Sequence, residues 1–148
     1  MTRLDGGACM MRLSAISALG LLLLAEGGAS AQYRPIGFQT PSKNVYCQFY
    51  AEDGPSTLRC DMMQVDVQPR PPVPCEGDYG RAFEMTARGP AERICRSDTL
   101  YDPSLPVLAY GEIWQRGGFT CRSEQTGLTC FNAMEHGFSL SRARQEVF

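Results

Sequence analysis

Six cysteines constrain the fold of this chain more than any other feature. They all follow residue 46 and are Cys47, Cys60, Cys75, Cys95, Cys121 and Cys130, whereas the seventh cysteine of the chain, Cys9, precedes the N-terminal apolar run. An even number of cysteines in a small exported chain predicts a framework of disulfide bonds. A zinc site would call for C-x-x-C pairs or several histidines, and the chain has no such pair and only one histidine. We therefore expect three disulfides and no metal at these cysteines.

The first predicted disulfide closes a hairpin near the C-terminus. Two short runs rich in β-branched and aromatic residues flank the segment Glu124 to Gly127. Gly127 can adopt the positive φ that a tight hairpin usually requires. Cys121 and Cys130 would then face each other on the two strands.

The other four cysteines are predicted to pair in sequential order, although six cysteines permit several connectivities. The segment 44–50 alternates as a half-buried strand does, and a turn at 52–56 leads to a returning strand. This second hairpin places Cys47 opposite Cys60. Cys75 is then left to pair with Cys95.

The remaining pattern predicts a mainly β fold, a small antiparallel β-meander or sandwich-like domain held by three disulfides. Further strands are expected at 81–87, at 92–96 and, as the longest continuous strand, at 107–115. The proline-rich segment Val67 to Pro74 cannot donate a regular ladder of hydrogen bonds and is predicted to be a surface connection. At most one short helical turn is expected, after Ser141 in the segment Arg142 to Phe148.

The alternation of side chains also predicts part of the core. If a two-residue turn joins the strand of Trp114 to the strand of Phe119, both side chains lie on the same face as Cys121. Leu128 joins that face through the pairing of the hairpin. Trp114 should therefore be buried against the Cys121–Cys130 disulfide, as in immunoglobulin-type domains.

The N-terminus has the pattern of a signal peptide. One basic residue, Arg12, precedes an apolar run that ends in Ala29-Ser-Ala31, a small-x-small cleavage pattern. The run is too short for a transmembrane span, which needs roughly 20 residues. We predict a signal peptide at 1–31, with Met10 and Met11 as alternative translation starts, and a single domain at 32–148. This domain would be secreted or periplasmic.

Charge excludes two classes of partner. The net charge is −2, and neither sign is clustered into a run. A nucleic-acid-binding protein needs a basic face, and a polybasic membrane anchor needs a basic cluster. We expect neither nucleic acid nor a membrane span after cleavage of the signal.

His136 is the only histidine and the one candidate for acid–base catalysis near neutral pH. A hydrolytic centre would pair it with Glu135 or with the hydroxyl of Ser139 or Ser141. The simpler alternative places His136 in a turn, with a hydrogen bond to a backbone carbonyl. The absence of a G-x-S-x-G sequence favours the simpler alternative.

Carboxylates and tyrosines supply the other candidate sites. Asp98, Asp102 and Glu112 could bind calcium, but their spacing lacks the alternation and the glycine of a calcium loop, so turn and capping roles are favoured. No cofactor is expected. The chain could build a sugar-binding face from its tyrosines, although their spacing does not require one: Tyr46, Tyr50, Tyr79, Tyr101 and Tyr110.

Six sequence blocks resemble a family of small secreted bacterial proteins known only as a domain of unknown function. The blocks are Phe38–Cys47, Arg59–Asp61, Ser97–Pro103, Val107–Gly111, the segment Gly117–Cys121 taken with Thr126–Asn132, and His136–Arg142. The resemblance implies a bacterial source and an exported domain with paired cysteines, but no activity. Lys43 stands where the family favours glycine.

The function predicted from these observations is that of a small binding or interaction module of the cell envelope, whose partner is an envelope protein or a glycan. Two alternatives remain open. One is a small secreted hydrolase that uses His136. The other is an inhibitor of a protease or lysozyme that inserts a rigid loop such as Pro69–Pro74 into a cleft.

Overall fold

The computed structural model describes residues 35–51 and 54–148. The predicted signal peptide and its cleavage point lie outside these residues. The described residues contain ten strands: β1 (Ile36–Gln39), β2 (Val45–Tyr50), β3 (Thr57–Met62), β4 (Asp78–Thr86), β5 (Ala91–Arg96), β6 (Ile113–Arg116), β7 (Phe119–Glu124), β8 (Gly127–Asn132), β9 (Gly137–Leu140) and β10 (Gln145–Val147). No helix that could cross a membrane is found in this part of the chain.

The strands form two antiparallel sheets of the same design. The first sheet has the order β1-β2-β3-β4-β5, and the second has the order β10-β9-β8-β7-β6. Each sheet is a meander, because every strand pairs with its neighbour in the chain. This arrangement confirms the prediction of a mainly β fold.

The three disulfides pair in sequential order, as predicted. Cys47–Cys60 joins β2 to β3 across directly opposed positions, with a Cα–Cα distance of 4.1 Å. Cys121–Cys130 joins β7 to β8 in the same way, with a Cα–Cα distance of 4.0 Å. The third disulfide, Cys75–Cys95, ties the segment before β4 to the edge strand β5.

The two sheets pack face to face around one hydrophobic core. Phe119 and Leu128 are each 1% exposed and lie within it. The turn between β6 and β7 consists of Gly117 and Gly118, and Trp114 therefore lies opposite Cys121 in the predicted register. Trp114 itself is half-buried, and its ring is 5.3 Å from that of Phe38.

Two elements differ from the predictions. The segment 107–115 is not one strand, because a turn with a hydrogen bond from Glu112 N to Ala109 O interrupts it. Only Val107 bridges to Gln39 before the turn, and β6 begins after it. The segment after Ser141, where at most one helical turn was expected, instead returns as strand β10 beside β9.

Two connections lie outside the main core. The segment Ser97–Pro106 covers the outer face of the first sheet, and its Leu100 and Leu105 pack with Tyr46 in a second, small core. The segment Val67–Pro74 contains no strand and is exposed along most of its length, which agrees with the predicted surface connection.

Candidate functional site

A pocket of about 260 Å³ lies at the end of the sandwich where three turns meet. Its walls come from the β1–β2 turn (residues 40–45), the β7–β8 hairpin (124–128) and the β9–β10 turn (140–142). Tyr110, in the connection before β6, completes the wall. We call this site the Tyr110 pocket.

The Tyr110 pocket has an apolar floor and a polar rim. Val45, Leu128 and Leu140 are buried and form the floor, whereas Ser42 and Glu124 are exposed at the rim. A small concave site with apolar walls and a few polar groups is typical of ligand binding. The volume suits a single small ring or side chain better than a larger ligand.

A fixed turn presents Tyr110 to the pocket. Glu112 accepts a hydrogen bond from the backbone N–H of Ala109 through its Oε2 atom, at 2.9 Å. Gly111 has a φ of 90°, which this turn requires after Tyr110, and its N–H donates to Ser123 O at 2.7 Å. Tyr110 is 45% exposed. Its hydroxyl group has no hydrogen-bond partner among the residues that the structure describes.

The segment after β3 holds two of the pocket turns in place. Asn44 donates to Gln64 O at 3.0 Å and accepts from Gln64 N at 2.8 Å, which fixes the β1–β2 turn. Asp66 N donates to Arg142 O at 2.9 Å, and the Asp66 carboxylate accepts from the Arg142 guanidinium at 3.0 Å. The walls of the pocket are therefore preorganised by hydrogen bonds, which lowers the entropic cost of binding.

Four of the six sequence blocks that resemble a family meet at this pocket. They are the blocks Phe38–Cys47, Val107–Gly111, the paired block that contains Thr126–Asn132, and His136–Arg142. These blocks are far apart in the chain and come together only through the fold.

The other two blocks meet in a cluster of charged side chains on the outer face of the first sheet. Asp61 is fully buried and accepts hydrogen bonds from Arg59 at 2.9 and 3.0 Å and from the Leu100 N–H at 3.0 Å. Arg96 lies 3.4 Å from the same carboxylate. The cluster thus anchors the segment Ser97–Pro106 to the sheet. The carboxylates of Asp61 and Asp98 are both engaged by Arg59 within the cluster, so its role is structural.

Electrostatics agrees with this anchoring role. Hydrogen bonds from Arg59 hold the pKa of Asp98 below its ordinary value of 3.8. Burial lowers the pKa of Arg59, but its hydrogen bonds to Asp98 and Asp61 raise it by more. Hydrogen bonds from the Ser104 hydroxyl and N–H lower the pKa of Asp102.

The three carboxylates considered for calcium are engaged separately. Asp98 pairs with Arg59 at 2.8 Å, and Asp102 accepts from the Ser104 N–H at 2.9 Å. Glu112 belongs to the Tyr110 turn. In the described ranges, the one cluster of ligand-type atoms is formed by the sulfurs of Cys47, Cys60 and Cys130, which are all in disulfides.

The structure does not assemble a hydrolytic centre at His136. The backbone of His136 exchanges hydrogen bonds with Asn132 in the turn before β9, and its ring has no hydrogen-bond partner within the described chain. Ser139 bonds instead to Thr129 at 3.1 Å, and Ser141 caps the β9–β10 turn through Arg144 N at 3.1 Å. His136 therefore has the turn position of the simpler alternative, although its ring donates to no carbonyl there.

The chain belongs to a family of unknown function, DUF6636, whose model matches residues 18–148. No curated protein and no solved structure matches the chain.

Proposed function

We propose that this member of DUF6636 is an exported binding module of the bacterial cell envelope, and that its Tyr110 pocket binds a glycan. The convergence of four family-like sequence blocks on one preformed pocket is the observation that carries the proposal. Three disulfides support folding in an oxidising compartment, where an envelope protein would meet its partner.

The composition of the pocket supports a sugar as the ligand. A sugar ring has apolar C–H faces and polar edges, so it can stack on an aromatic ring while its hydroxyl groups bond to a polar rim. Tyr110 offers both a ring face and a hydroxyl group without a protein partner in the described chain. Ser42 and Glu124 lie at the rim for the sugar hydroxyls.

The proposal is tested by co-sedimentation with purified peptidoglycan sacculi. The wild-type protein should sediment with the sacculi, and Tyr110→Ala should weaken binding roughly tenfold or more, because the stacking contact is lost. Tyr101→Ala is the matched control, since Tyr101 is a similarly exposed tyrosine outside the pocket. Equal retention of wild type and Tyr110→Ala would refute the assignment of the pocket.

A second candidate function, inhibition of an enzyme, is favoured by the segment Val67–Pro74. Val67 and Val73 are 73% and 65% exposed, the highest values among the exposed large apolar residues. The segment is held by Gln68, which donates to Tyr79 O at 2.8 Å, and by the Cys75–Cys95 disulfide. Inhibition of lysozyme or trypsin by the purified protein would favour this candidate over glycan binding.

A further inference from the structure

The two sheets are built on the same plan around their disulfides. In each sheet, a disulfide joins the second and third strands and lies in a row between two aromatic residues. The rows are Phe38–Cys47–Cys60–Phe83 in the first sheet and Trp114–Cys121–Cys130–Phe138 in the second. Each residue of one row therefore has a counterpart in the other.

The counterparts also face each other across the core. The rings of Phe38 and Trp114 are 5.3 Å apart, and those of Phe83 and Phe138 are 5.8 Å apart. The ring of Phe49, two residues after Cys47, contacts the ring of Phe119, two residues before Cys121. The second strands of the two sheets therefore run in opposite directions, as an approximate twofold axis between the sheets requires.

Each second strand also follows a residue in the left-handed region, although the turn before it has five residues in the first sheet and two in the second. Lys43 and Gly117 each stand four residues before the first cysteine of their sheet, and their φ angles are 56° and 58°. Leu58 and Leu128 each stand two residues before the second cysteine, and both are buried. The backbone and the core thus repeat together.

The repeat breaks at one buried position. Phe49 and Ser123 each stand two residues after the first cysteine of their sheet. The Phe49 ring closes its end of the sandwich: it lies 6.1 Å from the ring of Phe119, and a side chain at Gly117 would meet it at 2.3 Å. The guanidinium of Arg116 lies 5.5 Å from its centre on the solvent side.

The counterparts of the residues around Phe49 line the Tyr110 pocket. The strand pairing relates Arg116 to Thr40, Phe119 to Val45 and Leu58 to Leu128. Thr40, Val45 and Leu128 all contribute to the pocket. The pocket therefore borders Leu128, the residue directly opposite Ser123 on β8, at the end of the sandwich that corresponds to the one closed by the Phe49 ring.

Ser123 carries an independent sign of incomplete packing. It is 1% exposed, and its hydroxyl group has no hydrogen-bond partner within the described chain. A buried hydroxyl without a partner destabilises a fold, and buried polar atoms of this kind are rare. The chain thus keeps a costly small residue where its own repeat has an aromatic ring.

We infer that Ser123 opens the Tyr110 pocket and determines what it accepts: one pyranose ring, in the place that corresponds to the Phe49 ring. This inference rests on the proposed glycan binding and names the unit of the glycan that enters. The apolar floor formed by Val45 and Leu128 contacts one face of the ring. The rim formed by Ser42 and Glu124 favours a ring with hydroxyl groups over an aromatic one.

The test replaces Ser123 with phenylalanine, the residue at the corresponding position, Phe49, of the first sheet. Ser123→Phe should fill the pocket, raise the melting temperature and abolish the amide chemical-shift changes that methyl β-N-acetylglucosaminide and methyl β-glucoside cause in wild type. Ser123→Ala is the matched control, because it removes the buried hydroxyl and leaves the space. It should keep the shift changes and raise the melting temperature by roughly 2 to 4 °C. Ser123→Leu serves as a smaller filling residue should Ser123→Phe fail to fold.

The outcomes separate this inference from the proposed function. Undiminished pyranose binding by Ser123→Phe, or destabilisation by both filling variants, overturns the role of Ser123 even if wild type sediments with sacculi. A wild-type protein that sediments with sacculi and binds neither methyl glycoside overturns the single-pyranose assignment alone. A wild-type protein that binds neither sacculi nor glycosides refutes the proposed function as well.

Discussion

Lys43 is held in a backbone conformation that suits glycine. Its φ of 56° lies in the left-handed region, where the Cβ atom of an ordinary residue crowds the backbone. The turn keeps this conformation because Lys43 N donates to Thr40 O at 2.9 Å and Asn44 is bonded to Gln64. Gly117 also stands four residues before the first cysteine of its sheet, and as a glycine it adopts a φ of 58° without this strain.

Lys43→Gly should therefore stabilise the protein. Relief of the left-handed strain is worth about 1–2 kcal/mol, and the greater freedom of glycine in the unfolded chain offsets about 0.5–1 kcal/mol. Unfolding by urea should show a net gain of roughly 0.5–1 kcal/mol. Lys43→Ala is the control, because it removes the same side chain but keeps the Cβ atom. An equal gain in both variants would attribute the effect to the side chain instead of to φ.

The segment Ser97–Pro106 shows how one buried carboxylate positions a whole element. Asp61 gathers Arg59 and Arg96 beneath the segment and accepts the N–H of Leu100. Asp98, at the surface, bonds to the outer side of Arg59 at 2.8 Å. The exposed contact should respond to pH, since Asp98 is the accessible member of the cluster.

Asp98→Asn should reduce the pH dependence of stability in acid. Because the folded pKa of Asp98 lies below its ordinary value of 3.8, its contribution is fully present above that value. The contribution is lost as the pH falls through the lower, folded pKa. Asp98 is 66% exposed, so solvent screening keeps the effect under about 1 kcal/mol. Melting temperatures of wild type and variant should differ at pH 6 and converge towards about pH 2.

Glu76→Gln is the control for this measurement, because Glu76 is exposed and makes no ion pair among the described residues. It should leave the pH profile unchanged. A gap between wild type and Asp98→Asn that stayed constant throughout the acid range would contradict the coupling of Asp98 to Arg59.

Hairpins between strands that follow each other in the chain can be predicted from the sequence, because the alternation of apolar and polar residues and the turn residues determine them. The hairpins around Cys47–Cys60 and Cys121–Cys130 have this origin, and so does the register of Trp114. The turn at Ala109–Glu112 differs from the prediction, because the mostly apolar run 107–115 favours one continuous strand. The Tyr110-Gly111 pair was the available signal, since glycine after a bulky residue suits the positive φ of a type II turn.

The candidate site could not be predicted in the same way, because it belongs to the whole molecule. The Tyr110 pocket combines turns that are about 100 residues apart in the chain, from residue 40 to residue 142. Tyr110 was recognised only as one of several tyrosines, and its distinction comes from the neighbours that the fold gives it. Ser123 had no signal as an isolated residue. The role proposed for Ser123 follows from its correspondence with Phe49, and this correspondence is visible only once the pairing of the strands is known.

The disulfides Cys47–Cys60 and Cys121–Cys130 each link two strands of one sheet, and their sulfur atoms meet between the sheets. The sulfur atoms of Cys47, Cys60 and Cys130 lie within 4.8 Å of one another, and all three residues are fully buried. Cys75–Cys95, in contrast, lies at the periphery, where Cys95 is exposed. Both kinds of disulfide restrict the unfolded chain, but only the central ones also fill the core.

Removal of single disulfides should separate these two contributions. The loops closed by Cys47–Cys60 and Cys75–Cys95 span 13 and 20 residues, so chain entropy alone gives each about 3 kcal/mol, with slightly more for the longer loop. The burial of Cys47–Cys60 should make its removal the more destabilising of the two, because replacing both of these cysteines with alanine leaves a cavity between the sheets. Urea unfolding should therefore show a larger loss for Cys47→Ala/Cys60→Ala than for Cys75→Ala/Cys95→Ala.

Amide hydrogen exchange should show where the removal of Cys75–Cys95 destabilises the protein. In Cys75→Ala/Cys95→Ala, amides in the segment 66–77 and in β5 should lose protection, whereas those of β7 and β8 beside the Tyr110 pocket should keep it. A peripheral variant that lost more stability than the central one would show that chain entropy outweighs packing. The stacked disulfides would then stabilise the protein mainly by restricting the unfolded chain, as Cys75–Cys95 does.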